Sequence, residues 1–127
     1  MVIKSGNLNL IAADDGIRGK DYLMIHSGEI AINSKGDGIE SAAITINSCT
    51  LNLTSADDAF NATKGLTAGG GDANDGSSLV INDGNLNVNA TTGDSLNSNG
   101  NLTITGGIIV VEGPLYEWHL KLLLDTI

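Results

Sequence analysis

The chain has 127 residues, a length that fits one domain. Its 15 acidic residues against 6 basic ones leave a net charge of −9, which argues against nucleic acid or an anionic membrane as partner and is compatible with cation binding. The single cysteine, Cys49, rules out an internal disulfide, and with only His26 and His119 beside it there is no zinc-ligand spacing.

From the N-terminus, Ile3 to Leu10 (IKSGNLNL) is an apolar residue, a three-residue turn ending in glycine, and an alternating run. The same pattern returns at Ile25 to Ile32 (IHSGEIAI), Ile46 to Leu53 (INSCTLNL, with Cys49 in the glycine's place), Ile81 to Val88 (INDGNLNV) and Ile104 to Val111 (ITGGIIVV). A second element follows each of the first four blocks: Asp15-Gly16-Ile17, Asp37-Gly38-Ile39, Asp58-Ala59-Phe60 and Asp94-Ser95-Leu96. The anchor isoleucines 3, 25, 46, 81 and 104 are spaced 22, 21, 35 and 23 apart. Taking out residues 65–76 (GLTAGGGDANDG), a loop by composition, restores the period.

A period near 22 with short alternating runs predicts an all-β chain: a right-handed, single-stranded parallel β-helix, a solenoid of about five coils. Glycine and asparagine are too dense for helical returns. Winding each period into one coil predicts five inward columns: Leu23-Ile44-Leu79-Leu102, Ile3-Ile25-Ile46-Ile81-Ile104, Leu8-Ile30-Leu51-Leu86-Ile109, Leu10-Ile32-Leu53-Val88-Val111 and Ile17-Ile39-Phe60-Leu96. A further inward slot is small throughout (Gly19, Ser41, Ala62, Ser98), as a narrow corner requires. The β-helix is expected over 1–113. The tail 114–127, where composition shifts to LYEWHLKLLLDTI after Pro114, is expected to be a capping helix or a non-native end.

The same register stacks Asp15, Asp37, Asp58 and Asp94, with Asp14 and Asp57 one position earlier. Like carboxylates one coil apart repel by roughly 3 kcal/mol at an effective dielectric near 20. Protonation, solvation or a bridging cation would relieve this. Hard oxygens in turns suit calcium, with Asn61 or Asn97 completing its shell; the alternative is that the aspartates cap backbone N–H groups and stay solvated. Arg18 and Glu40 fall in equivalent outward positions, an expected surface ion pair, or else Arg18 with Lys20 meets a sugar carboxylate. Asn7, Asn9, Asn52, Asn85 and Asn87 alternate outward on another face, expected as solvated ladder residues or else as a flat array of amides for glycan hydroxyls.

The stretches Ala13 to Asp21 (ADDGIRGKD), Gly36 to Ser41 (GDGIES), Ser55 to Asn61 (SADDAFN) and Gly93 to Ser98 (GDSLNS) resemble the secreted bacterial carbohydrate-binding β-helix domains related to the family 9 polysaccharide lyases, over about residues 2–113. The resemblance implies bound calcium, a secreted or cell-surface location, and affinity for cellulose or for acidic sugars such as polygalacturonate. The last coil departs from the pattern in having no Asp-Gly element. With no apolar leader in MVIKSGNLNL, the chain is expected to be a fragment of such a protein.

The expected function is therefore calcium-dependent, non-catalytic binding of plant cell-wall polysaccharide. The expected metal ligands are Asp14, Asp15, Asp37, Asp57, Asp58 and Asp94, and the expected carbohydrate contacts are Arg18, Lys20, Asn61 and Asn97. The alternatives are a calcium-dependent pectate lyase, in which Lys20, Lys35 or Lys64 would serve as base, and an adhesin whose solenoid is a spacer.

Overall fold

The computed structural model describes residues 1–65 and 74–113; the tail 114–127 and the interior of the 65–76 loop, Asp72 included, lie outside the described residues. Each of the first four coils supplies one strand to each of three parallel sheets, and the last described coil supplies one to the first two. The first sheet stacks β1 (Val2–Ile3), β4 (Leu23–Ile25), β7 (Ala43–Ile46), β10 (Ser78–Ile81) and β13 (Asn101–Ile104). The second stacks β2 (Asn7–Ala12), β5 (Glu29–Ser34), β8 (Thr50–Ser55), β11 (Asn85–Ala90) and β14 (Ile108–Glu112). The third stacks β3 (Ile17–Arg18), β6 (Ile39–Ser41), β9 (Phe60–Ala62) and β12 (Leu96–Ser98). This is the parallel β-solenoid that the repeat predicts.

The register pairs the predicted columns residue for residue. Ile3 lies against Ile25, Ile25 against Ile46, Ile46 against Ile81 and Ile81 against Ile104. Ile39 lies against Phe60 and Phe60 against Leu96. Strand alternation turns these side chains inward, and the three middle coils bury them almost completely. Ile3, Leu8, Leu10, Ile104, Ile109 and Val111 are only partly buried because the first and last described coils have a neighbour on one side. At roughly 1.5–3 kcal/mol for each fully buried aliphatic side chain, this continuous column is the main source of stability. The small slot sits where expected, with Ser41 and Ala62 buried and paired in register.

Two turns show how the chain makes its corners. Between the first and second sheets Gly28 takes φ 128°, and a Cβ there would lie 2.8 Å from the Gly6 carbonyl of the coil before, so only glycine fits that backbone. Cys49 stands in this column without a positive φ. Its thiol is buried, and burial pushes it up to about 11, which keeps it protonated and unreactive. At the insertion, Asp75 closes the stem: its carboxylate accepts the Lys64 N–H at 2.9 Å and the Ser77 N–H at 2.8 Å, while Ser77 Oγ donates to the Ala62 carbonyl at 2.8 Å.

Candidate functional site: the aspartate corner and the adjoining groove

The aspartates stack at the corner that leads into the third sheet, and there they form a directional ladder. Asp37 N–H donates to Asp15 Oδ1 at 2.9 Å, Asp58 N–H to Asp37 Oδ1 at 3.0 Å, and Asp94 N–H to Asp58 Oδ1 at 2.7 Å. Each carboxylate thus meets an amide hydrogen of the following coil, the backbone-capping use that Asp-Gly turns allow. The expectation that capping leaves these side chains solvated does not hold for Asp37, which is 7% exposed.

A second row supports the first. Arg18, Glu40, Asn61 and Asn97 pair in register along the third sheet, three residues after each aspartate. Asn61 Nδ2 donates to Asp37 Oδ2 at 2.8 Å, and Asn97 Nδ2 to Asp58 Oδ2 at 3.0 Å and to Asn61 Oδ1 at 3.3 Å. The two asparagines therefore act as amide donors to the ladder. In the first pair of coils the equivalent donor position holds Glu40, a carboxylate. The guanidinium of Arg18 stands in for the missing amide, with Nε 3.0 Å from Glu40 Oε1 and Nη1 3.8 Å from Asp15 Oδ2. The side chain of Arg18 is two-thirds exposed (67%), so the pair adds little to stability.

Burial and like charge act together at the middle of the ladder. Asp37 is pushed up to about 7, first by desolvation and then by Glu40, Asp57 and Asp15, with the Asn61 hydrogen bond opposing. Asp58 is pushed up to about 6, again first by desolvation, with the Asp94 N–H and Asn97 opposing and Asp37 and Asp57 adding to the rise.

Two sets of three carboxylates bring ligand oxygens within 4.8 Å of one another: Asp15, Asp37 and Glu40, and Asp37, Asp57 and Asp58. Asp14 and Asp94 fall in neither set. Glu40 has no place among the metal ligands expected from sequence. It lies one row over from the aspartates, and only the strand register brings it beside Asp37. Its signal was the column of polar residues at 18, 40, 61 and 97. The row that carries Asp14 and Asp57 alternates with glycine in the coils between. A Cβ on Gly36 would lie 2.7 Å from both Asp14 Oδ1 and Asp15 Oδ1, and one on Gly93 2.6 Å from the Asp57 carbonyl carbon.

Beside this corner runs a groove of about 500 Å³ lined by Arg18, Gly19, Lys20, Glu40, Thr63, Lys64 and Gly65. Glu40 belongs to both the groove and the carboxylate cluster. The structure brings Arg18 and Lys20 together as paired sugar contacts would require and adds Lys64. Lys64 follows β9 just before the insertion, so it has no repeat equivalent to mark it.

The profile of a family described as carbohydrate-binding domain-containing protein matches residues 1–75, more than half of the chain. Neither the curated proteins nor the solved structures contain a match.

Proposed function

The chain belongs to that carbohydrate-binding family, and from this premise we propose that it holds acidic plant cell-wall polysaccharide, of the polygalacturonate kind, without cleaving it. The observation that carries this reading is the groove. Of the 6 lysines and arginines in a chain of charge −9, Arg18, Lys20 and Lys64 line one depression. That concentration of positive charge on an acidic protein suits a uronate carboxylate, which a guanidinium takes in bidentate fashion and an ammonium takes as a point charge.

Calcium is the second part of the reading. A chain of −9 and a polyuronate repel at long range, and cations between the two sets of carboxylates remove that repulsion. Asp37, Asp57 and Asp58 suit the ion best. They offer three hard carboxylates within 4.8 Å and no basic side chain pairs with them among the described residues, whereas Asp15 and Glu40 already face Arg18. Kinship with the family 9 lyases is on this reading one of scaffold, because the aspartate row repeats on coil after coil whereas a catalytic base would break the repeat once. The polymer lies outside cells, which places the protein there or on a cell surface.

Affinity electrophoresis through gels containing polygalacturonate tests the proposal. The wild type is expected to be retarded, Lys20→Ala with Lys64→Ala to bind at least ten times more weakly, and EDTA to abolish retardation. Retardation unchanged by EDTA would remove calcium from the account; retardation unchanged in the double variant would remove the groove. An adhesin spacer would show no retardation at all, and a lyase would release unsaturated oligouronides.

A further inference from the structure

Away from the groove and the aspartate corner, the turn between β10 and β11 departs from its equivalents. Two residues after each anchor isoleucine the coils carry Ser5, Ser27, Ser48, Asp83 and Gly106. Asp83 is the one member of that column with a carboxyl group, and Gly84 follows it. The chain has four Asp-Gly pairs, at 15–16, 37–38, 75–76 and 83–84. In such a pair the glycine nitrogen can attack the aspartate carboxyl carbon, because no side chain of its own residue stands in the way.

The fold ties up both reacting groups in three of the pairs. Asp15 Oδ1 accepts the Asp37 N–H, and the Gly16 N–H donates to the Asp37 carbonyl at 2.9 Å. Asp37 accepts from the Asp58 N–H and from Asn61, and the Gly38 N–H donates to the Asp58 carbonyl at 2.8 Å. Asp75 accepts from the Lys64 and Ser77 N–H groups, and the Gly76 N–H donates to Asn74 Oδ1 at 2.9 Å. The single Asn-Gly pair is held likewise: Asn99 Nδ2 donates to Thr63 Oγ1 at 3.1 Å and the Gly100 N–H to Ser98 Oγ at 3.2 Å. At the fourth Asp-Gly pair the two groups meet each other. The Gly84 N–H donates to Asp83 Oδ1 at 2.8 Å, which folds the carboxyl group back over its own following peptide, and Asp83 is exposed to water.

We propose that Asp83-Gly84 is a site of spontaneous backbone modification, at which the folded protein converts aspartate to isoaspartate. With the carboxyl group protonated, the Gly84 nitrogen gives up its proton and bonds to Asp83 Cγ; the hydroxyl leaves with that proton as water, and a cyclic succinimide remains. Water then adds back. At Cγ it restores aspartate; at the Asp83 main-chain carbonyl carbon it gives isoaspartate, whose chain runs through Cβ and Cγ. One water leaves and one returns, so no co-reactant is needed. Holding the two groups in contact supplies the proximity that the ring closure requires. The product has one more backbone atom in a turn that is pinned on both sides, by the Asn85 N–H on the Cys49 carbonyl and by the Ile108 N–H on the Gly84 carbonyl, each at 2.9 Å. Conversion therefore loosens the hold of the fourth coil on the fifth.

Ageing the whole chain at pH 6 and 37 °C, folded and in guanidinium chloride, tests it, with isoaspartate read at each position by electron-transfer fragmentation of a chymotryptic digest. In denaturant the four Asp-Gly pairs are expected to convert at similar rates. On folding, position 83 is expected to keep its rate to within about threefold, while positions 15, 37 and 75 slow at least tenfold. Asp83→Ser, which installs the residue that the first three coils carry there, is expected to form no isoaspartate at that position and to lose less of its melting temperature on ageing than the wild type. Protection of position 83 as strong as that of the other three overturns the proposal. Conversion at position 83 with equal losses of melting temperature in wild type and variant overturns the loosened coil contact and leaves the modification standing.

Discussion

Replacing Asp37 with asparagine is expected to stabilise the protein at pH 8 in EDTA by about 2 kcal/mol and to flatten its dependence on pH. The folded chain holds the Asp37 proton up to about pH 7, against an ordinary value of 3.8. A group whose folded pKa is raised favours the folded state while both states are protonated, and that contribution is lost as pH rises toward the folded value. Between pH 5 and 8 the loss from Asp37 alone amounts to roughly 2–3 kcal/mol, with Asp58 adding a smaller amount below about pH 6. Asparagine removes the buried charge but not without cost. Its Nδ2 would face Asn61 Nδ2, so the Asn61 and Asn97 amides must turn over and the Asn97 bond to Asp58 Oδ2 is given up, at about 1 kcal/mol. Urea unfolding at pH 5, 6.5 and 8, clear of the pI near 4.2, measures the effect. Wild-type stability that climbs steadily from pH 5 to 8, with the variant running parallel, would contradict this account of the ladder. Added calcium is expected to stabilise the wild type at pH 8 more than the variant, since the ion neutralises the same carboxylate.

Phe60→Ala is expected to cost about 3–5 kcal/mol, the usual range for emptying a buried aromatic site. The ring is fully buried, at 0% exposure, and lies in column between Ile39 and Leu96 in the middle coils, where neither neighbour is free to collapse into the space. A domain with the ordinary 5–15 kcal/mol of stability would lose a large share of it. Solenoid coils are coupled mainly to their neighbours, so the cavity also weakens the link between the coils on either side, and the urea m-value is expected to fall with the midpoint. Phe60→Leu, which places there the residue that the next coil carries as Leu96, is expected to cost much less. A midpoint for Phe60→Ala close to that of the wild type would mean that the core is not the continuous column described above.

The architecture was legible because its determinants are local and repeated. Ile3, Ile25, Ile46, Ile81 and Ile104 recur at one spacing, and in a parallel solenoid equal spacing means direct stacking. Even the insertion could be located, since it lengthens one interval and leaves the rest alone. The aspartate column was legible for the same reason, but its chemistry was not. Whether a carboxylate meets an ion, water or the N–H of the next coil depends on the stagger between rungs, and side-chain types do not record it. Glu40 and Lys64 show the limit from two sides. Glu40 acts through a partner in another row, and Lys64 sits where the repeat is interrupted. Ser34 and Ser55 were missed because small polar residues at a corner look like loop. In the structure both are buried, and their hydroxyls donate to the carbonyls of Gly36 and Asp57 at 3.3 and 2.8 Å.

The carboxylate ladder has a sense of direction. Every link runs from an amide hydrogen of the later coil to a side chain of the earlier one, at residues 15 to 37, 37 to 58 and 58 to 94. A polypeptide leaving the ribosome amino end first therefore presents each fresh turn to an acceptor already in position, whereas one winding from the opposite end would offer its N–H groups before anything stood ready to receive them. The backbone bonds beside the ladder run the other way, as from the Gly16 N–H to the Asp37 carbonyl and from the Ala59 N–H to the Asp94 carbonyl, so this polarity belongs to the carboxylates alone.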